Sequence, residues 1–346
     1  MQTDLDDDAH THPDPPTIAD VARAAGVSVT TISHVISGNR PVSPKTQARV
    51  RAVIEELGYR PNPVARTLRT QRSHTIGLVI PDITNPYYPV LARGLQDVTA
   101  EAGYHVFVCS TDAQAERELE FVADLVERRV DGLVVAAFGE DPELLTIPAA
   151  RGVATISLGA RVDHPAVDVV ETDDIDGAAR ATDYLIGLGH RRIGLIAGPP
   201  PIGERRINGY RRALEAADLP FAAELVQTGD WTRASGRPAM LALAALEEPP
   251  SAVFCANDLM AIGALDAARE LGLDVPGDLS VVGYDDIEAA ALLTPALTTV
   301  LNPAHAAGEA AGRLLLERLS DARTERTVLH LPCPLIERES TTTPRS

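Results

Sequence analysis

The sequence predicts an N-terminal all-α helix-turn-helix headpiece followed by an α/β core of two doubly wound parallel-sheet lobes, on three observations. Between residues 17 and 58 three short amphipathic patterns follow one another, each opened by a capping residue and closed by a glycine or a glycine turn. Beyond residue 72 the texture changes to short β-branched runs alternating with helical stretches, in two successive sets of similar size. The length of 346 residues exceeds one ordinary domain and suits two or three lobes with cores of their own.

Residues 1–16 combine acids and prolines with almost no apolar surface, too little to offset the entropy of ordering, and are expected to form a disordered tail. Thr17 then caps a first helix with Asp20 at its third position, a capping-box pair, and Ile18, Val21, Ala22 and Ala25 share one face before Gly26-Val27 breaks it. Ser28 caps a second helix with Ile32, Val35 and Ile36 turned inward and Val29, Thr30 and His34 outward, and Gly38 ends it. Ser43-Pro44 opens a third, whose stripe is Val50, Val53, Ile54 and Leu57 and whose stop is Gly58. Two helices across a tight glycine turn, braced by a third, form a helix-turn-helix unit.

In the core the expected strands are 75–80, 104–109, 132–136, 153–158, 192–197, 252–255 and 280–283, with helices near 88–102, 115–129, 177–188, 205–217, 234–246 and 259–271. Two doubly wound lobes place a cleft between them, at the carboxyl ends of their strands.

Charge sorts these pieces by partner. The net charge of −18 conceals a split: residues 17–72 hold nine Lys and Arg against three acids, while residues 1–16 carry −5 and the remainder −19. A small basic module ahead of a large acidic body is the layout of a chain in which the module alone meets a polyanion. Lys45 is the only lysine, so neither a phosphate-binding Gly-Lys loop nor a buried Schiff-base amine is available. There is no Gly-x-Ser-x-Gly elbow, and 187–192 fails the dinucleotide fingerprint at its third glycine. Cys109, Cys255 and Cys333 are odd in number and widely spaced, which argues for a reducing compartment and against a disulfide framework or zinc site. His10 and His12 read as part of the solvated tail. No run is long enough to span a bilayer and the first residues are acids, so a cytoplasmic protein without a membrane partner, cofactor or metal is expected.

The stretch Thr17-Ile18-Ala19-Asp20-Val21-Ala22, continued by Ala25-Gly26-Val27-Ser28 and Thr31-Ile32-Ser33-His34-Val35, closely resembles the headpiece of the lactose/galactose repressor family of bacterial transcription regulators. The likeness continues through Gly58-Tyr59-Arg60-Pro61-Asn62, Arg129-Val130-Asp131-Gly132, Ala256-Asn257-Asp258, Gly283-Tyr284-Asp285-Asp286, Thr294-Pro295-Ala296-Leu297-Thr298-Thr299 and Leu335-Ile336-Glu337-Arg338, about residues 17–340 in all. The resemblance implies a homodimeric repressor on near-palindromic double-stranded operator DNA. Its parts would be a DNA-binding domain at 17–62, a hinge helix at 63–72, a two-lobed core at 73–340 resembling periplasmic sugar-binding proteins, and a tail at 341–346.

It further implies base reading by Val29, Thr30 and His34, DNA contacts from Thr17, Ser28, Ser33, Tyr59, Asn62 and Ala65, and a minor-groove wedge at Leu68. A small effector would lie in the cleft against Tyr87, Tyr88, Asp173, Arg206, Trp231, Asn257 and Asp285. Aromatic rings beside Asp, Asn and Arg suit a polyhydroxylated ring, whose apolar face stacks while its hydroxyls pair, so a sugar is expected. The alternatives are a purine or other non-sugar effector, disfavoured by Pro200 and Ile202, or a free-standing sugar-binding protein. Tetramers of the family carry a C-terminal leucine heptad helix, which is not seen here, so a dimer is expected.

Overall fold

The computed structural model describes residues 16–37, 40–60, 72–136, 143–159, 164–323 and 325–345. They fall into two compact units that divide between Ser73 and His74.

The first unit holds α1 (Ile18–Ala25), α2 (Val29–Ser37) and α3 (Pro44–Glu56). The capping box forms, with the Thr17 amide donating to Asp20 Oδ2 at 3.0 Å and the Asp20 amide to Thr17 Oγ1 at 3.4 Å. Gly26, at φ 62°, supplies the left-handed turn that ends α1. Ser28 Oγ accepts the Thr31 amide at 3.1 Å to start α2, and Ser43 Oγ accepts that of Thr46 at 3.3 Å to start α3. Val21, Ala22, Ala25, Ile32 and Val50 form the buried core. Two residues expected inward are at the surface, Ile36 at 40% and Leu57 at 37% exposure, because three short helices have too little interior to cover the outer edge of each stripe.

In the second unit β1 (Thr75–Ile80), α4 (Tyr87–Glu101), β2 (His105–Ser110), α5 (Ala115–Glu127), β3 (Gly132–Val135), α6 (Glu143–Ala150), β4 (Ala154–Leu158) and β5 (Val167–Thr172) build the first lobe. The chain then crosses into α7 (Asp174–Gly187), β6 (Ile193–Ala197), α8 (Ile202–Ala216), β7 (Val226–Thr228), α9 (Arg233–Ala244), β8 (Ala252–Cys255), α10 (Asp258–Glu270), β9 (Ser280–Val282) and α11 (Glu288–Leu292) of the second. After β10 (Thr299–Val300) it returns through α12 (Ala304–Leu319) and β11 (Val328–Leu331) to the first lobe, and β12 (Leu335–Ile336) pairs antiparallel with β10.

Both main sheets are wholly parallel, one in the order β11-β5-β4-β3-β1-β2 and the other β7-β6-β8-β9. Strands covered on both faces read as unbroken apolar runs, as Ile76–Ile80 does, whereas β2 at the sheet edge is half exposed. α12 lies nearly backbone to backbone on α4: a Cβ at Gly94 would meet the His305 carbonyl at 2.1 Å, and one at Gly308 the Leu91 carbonyl at 2.0 Å. Asp168, fully buried on β5, ties the returning segment down through Arg318 Nε at 2.6 Å and Arg323 Nη2 at 2.8 Å.

Residues 341–345 are not a loose tail. The Thr342 carbonyl sits 2.9 Å from His190 Nε2 and its amide donates to Ser280 Oγ at 3.0 Å, while Thr341 Oγ1 lies 2.9 Å from Tyr184 Oη, so buried polar groups of the second lobe find their partners there. No helix among the described residues is long and apolar enough to cross a membrane.

Candidate functional site

Two surfaces carry chemistry, one in each unit. On the headpiece Val29 is 44% exposed at the start of α2, Thr30 is exposed beside it, and Ser33 and His34 are half-buried one turn on. Thr17 and Ser28 spend their hydroxyls on caps, and Tyr59 packs against the small core, so these three position the helices. Arg23, Arg40, Lys45, Arg49, Arg51 and Arg60 are all exposed, leaving the basic surplus at the surface of this unit. Asn62, Ala65, Leu68 and nearly all of the expected hinge helix lie outside the described residues.

In the second unit the carboxyl ends of the strands of both lobes face a cavity of about 460 Å³. Of the seven residues expected there, six line it: Tyr87, Tyr88, Arg206, Trp231, Asn257 and Asp285. Tyr87 and Tyr88 open α4, with Asn85 Oδ1 accepting the Tyr87 amide at 3.1 Å, and their rings meet edge to face with centroids 5.2 Å apart. Asn257 follows β8 and caps α10 by accepting the Met260 amide at 2.9 Å, while its Nδ2 donates to the Trp231 carbonyl at 2.9 Å. That bond holds the turn carrying Trp231, whose ring lies over Gly198 so closely that a Cβ there would come within 2.2 Å. Trp231 at φ 73° and Asp285 at φ 107° both hold left-handed backbone that side chains avoid, strain of the sort that collects at ligand sites.

The seventh, Asp173, is a correction. It lies 42% exposed, 3.7 Å from His330, and the adjacent Asp174 at the first turn of α7 is the carboxylate that enters the cavity wall. Arg206, on α8, is almost fully buried. Its Nε donates to Asp174 Oδ1 at 3.0 Å, its Nη1 to the Ala256 carbonyl, and its Nη2 lies 2.9 Å from Asp174 and 3.6 Å from Asp285. The guanidinium rests over the Tyr284 ring at 3.6 Å. Burial opposes its charge, but Asp174, Tyr284 and Asp285 outweigh burial and hold it protonated. Burial pushes the Asp285 carboxyl up to about 6 even though Arg206 and the Asn302 amide, 3.1 Å away, pull it down.

Among the further lining residues that were not singled out in the sequence are Glu171, Asp174, Arg205 and Asn302. They cluster where the chain crosses between lobes, and Asp174 and Asn302 each stand two residues beyond a strand end, the one signal that marks them.

A helix-turn-helix headpiece on a two-lobed core around a polar, aromatic-walled cavity defines a DNA-binding regulator with a ligand site. Residues 17–62 match the lacI family of bacterial regulatory proteins, and residues 182–341 match the periplasmic binding protein-like domain. The HTH-type transcriptional repressor PurR of Pectobacterium carotovorum is 38% identical over 94% of this chain and 96% of its own length. Among solved structures, the Lac repressor dimer bound to operator and the anti-inducer ONPF superposes with a TM-score of 0.84 at 29% identity, over 95% of this chain and 99% of that one. The complex of the transcriptional regulator CelR with cellobiose matches at 0.72 and 35% identity, over 94% and 99% of the two chains. The chain belongs to the lacI family of bacterial regulatory proteins: it is a DNA-binding transcriptional repressor with a ligand-binding core, and not an enzyme.

Proposed function

We propose that the protein acts in the cytoplasm as a homodimeric repressor of a near-palindromic operator, with a sugar in the cavity controlling operator affinity. The observation that carries the sugar is the pairing within one cavity of aromatic walls, Tyr87 and Tyr88 from the first lobe and Trp231 from the second, with buried polar groups of the second lobe and the crossings, Asp174, Arg206, Asn257 and Asp285. Rings stack a sugar's apolar face, and fixed polar groups pair with its hydroxyls. A ligand that touches both lobes favours one lobe angle over another by the difference in its affinity for the two. The chain leaves the first lobe for the headpiece through residues 61–72, so in this reading the angle reaches the DNA through that segment.

Val29, Thr30 and His34 are the proposed base readers, with Thr17, Ser28, Ser33, Tyr59, Asn62 and Ala65 supporting them and Leu68 as the wedge. A purine is the second reading, favoured by the likeness to purine-repressor relatives. It meets Ile202 at the cavity wall, which offers a base edge no polar contact. Thermal unfolding of the full chain against sugars and purines decides: stabilisation by a sugar supports the proposal, and stabilisation by purines alone overturns the sugar.

A further inference from the structure

The charge balance of the cavity narrows the ligand further than its shape does. Among the described residues six carboxylates border it, Asp82, Asp112, Glu171, Asp174, Asp230 and Asp285, against two cations, Arg205 and Arg206. Both cations already face carboxylates. Arg206 places Nε and Nη2 on Asp174 and Nη1 on the Ala256 carbonyl, with Asp285 3.6 Å from Nη2, so two buried carboxylates offset its charge. Arg205 lies between Glu171 at 3.5 Å and Asp174 at 3.8 Å, with its Nη2 on the Thr172 carbonyl.

The unused hydrogen-bonding atoms tell the same story. Asn302 is 94% buried, and because its Nδ2 donates to Asp285, the amide is oriented and its Oδ1 is an acceptor with no partner. Glu171 Oε2 is a second buried acceptor without a partner, and Arg205 Nε a buried donor without a hydrogen bond. A hydroxyl both donates and accepts and suits a wall that holds acceptors and a donor together, whereas a phosphate or carboxylate only accepts and would face surplus negative charge.

We propose that the cavity selects an uncharged, hydroxyl-rich ring and rejects the phosphate esters and acids of the same ring, which would place the regulator ahead of the phosphorylating or oxidising step on its sugar. This rests on the sugar reading above. It also assigns Asp174 a selective part: by pairing with Arg206 at 2.9 Å it offsets the positive charge that an anion would need. Asp285 is ionised at neutral pH and adds to the surplus.

The test uses the full chain and matched pairs, glucose with glucose 6-phosphate, ribose with ribose 5-phosphate, and cellobiose with cellobionate, titrated by calorimetry at fixed ionic strength. The expected result is that the neutral member of at least one pair binds and its anionic partner binds at least about tenfold more weakly. In Asp174→Asn, which frees Arg206 donors and removes one negative charge, the ratio should shift towards the anion by about tenfold, with Glu171→Gln as a second variant should Asp174→Asn fold poorly. Equal or tighter binding of the anionic member, or a ratio unmoved in a folded variant, overturns this proposal and leaves the sugar reading standing. If no sugar of either kind binds, the sugar reading falls and this inference falls with it.

Discussion

Arg206 and Asp174 form a buried ion pair at 2.9 Å that joins α8 to the crossing from the first lobe into α7, and a second carboxylate, Asp285, stands 3.6 Å from the same guanidinium. The three come from separate stretches of chain, so the cavity wall and the join between lobes depend on the same charges. Breaking such a pair from one side leaves an uncompensated charge indoors.

Arg206→Ala is therefore expected to cost about 3–5 kcal/mol of core stability as well as ligand binding, because Asp174 and Asp285 lose their counter-charge. The double variant Arg206→Ala with Asp174→Asn should recover part of that loss. Denaturant unfolding of the parent, both single variants and the double variant gives the coupling, and additive losses would show that the pair does not interact.

Ligand affinity should fall as pH drops through about 6, where Asp285 takes up its proton and ceases to be a full acceptor for ligand hydroxyls. The stability linkage has the opposite sign: a carboxyl whose pKa is raised on folding stabilises most below about 4, and that contribution is lost as pH rises to about 6. Calorimetry between pH 5 and 7.5 measures the first effect, and in Asp285→Asn the slope should disappear.

Asp168 behaves in the other direction. Burial works against its charge, but hydrogen bonds from Arg318, Arg323 and the Thr327 amide bring its carboxyl down to about 2. Its stabilisation is present above about 4 and is lost as pH falls towards 2. Asp168→Asn should lower stability by about 2–4 kcal/mol at neutral pH and flatten the acid limb of the unfolding profile. Parent-like melting at both pH 7 and pH 3 would contradict this.

His34→Ala should cost about 1–3 kcal/mol of specific DNA binding and relax preference at one base pair per half-site, since an imidazole on the exposed side of α2 can donate to guanine N7 or O6. Selection of binding sites from random DNA reads the preference directly, and an unchanged motif would remove His34 from the readers.

Much of this was legible in the sequence where local chemistry decides it. Thr17, Ser28 and Ser43 announce α1, α2 and α3 because a cap is a contact within one turn. The seven expected strands all formed: most are plain apolar runs because they are buried on both faces, and the half-exposed edge strand β2 still reads as a β-branched and aromatic run. β5 escaped notice because Asp168 interrupts it, a residue that makes sense only with Arg318 and Arg323 folded onto it. α12 was missed because its inward face from Ala304 to Gly312 is alanine and glycine, small for the sake of α4, and only Leu314 and Leu315 near its end supply large buried apolar side chains, too short a stripe to read. At the site, six effector positions line the cavity, but the carboxylate was placed at Asp173, one residue before the true lining residue Asp174: a strand end followed by a helix start does not reveal which of two aspartates turns inward.

The most direct measurement of the central claim is a gel-shift titration of operator DNA, selected from random sequence, with the full chain at fixed salt, with and without a cavity ligand that stabilises the core. The account predicts that the ligand changes operator affinity at least about tenfold in the parent and leaves Asp285→Ala unchanged at the same concentration. Operator affinity indifferent to a ligand that demonstrably fills the cavity would contradict it.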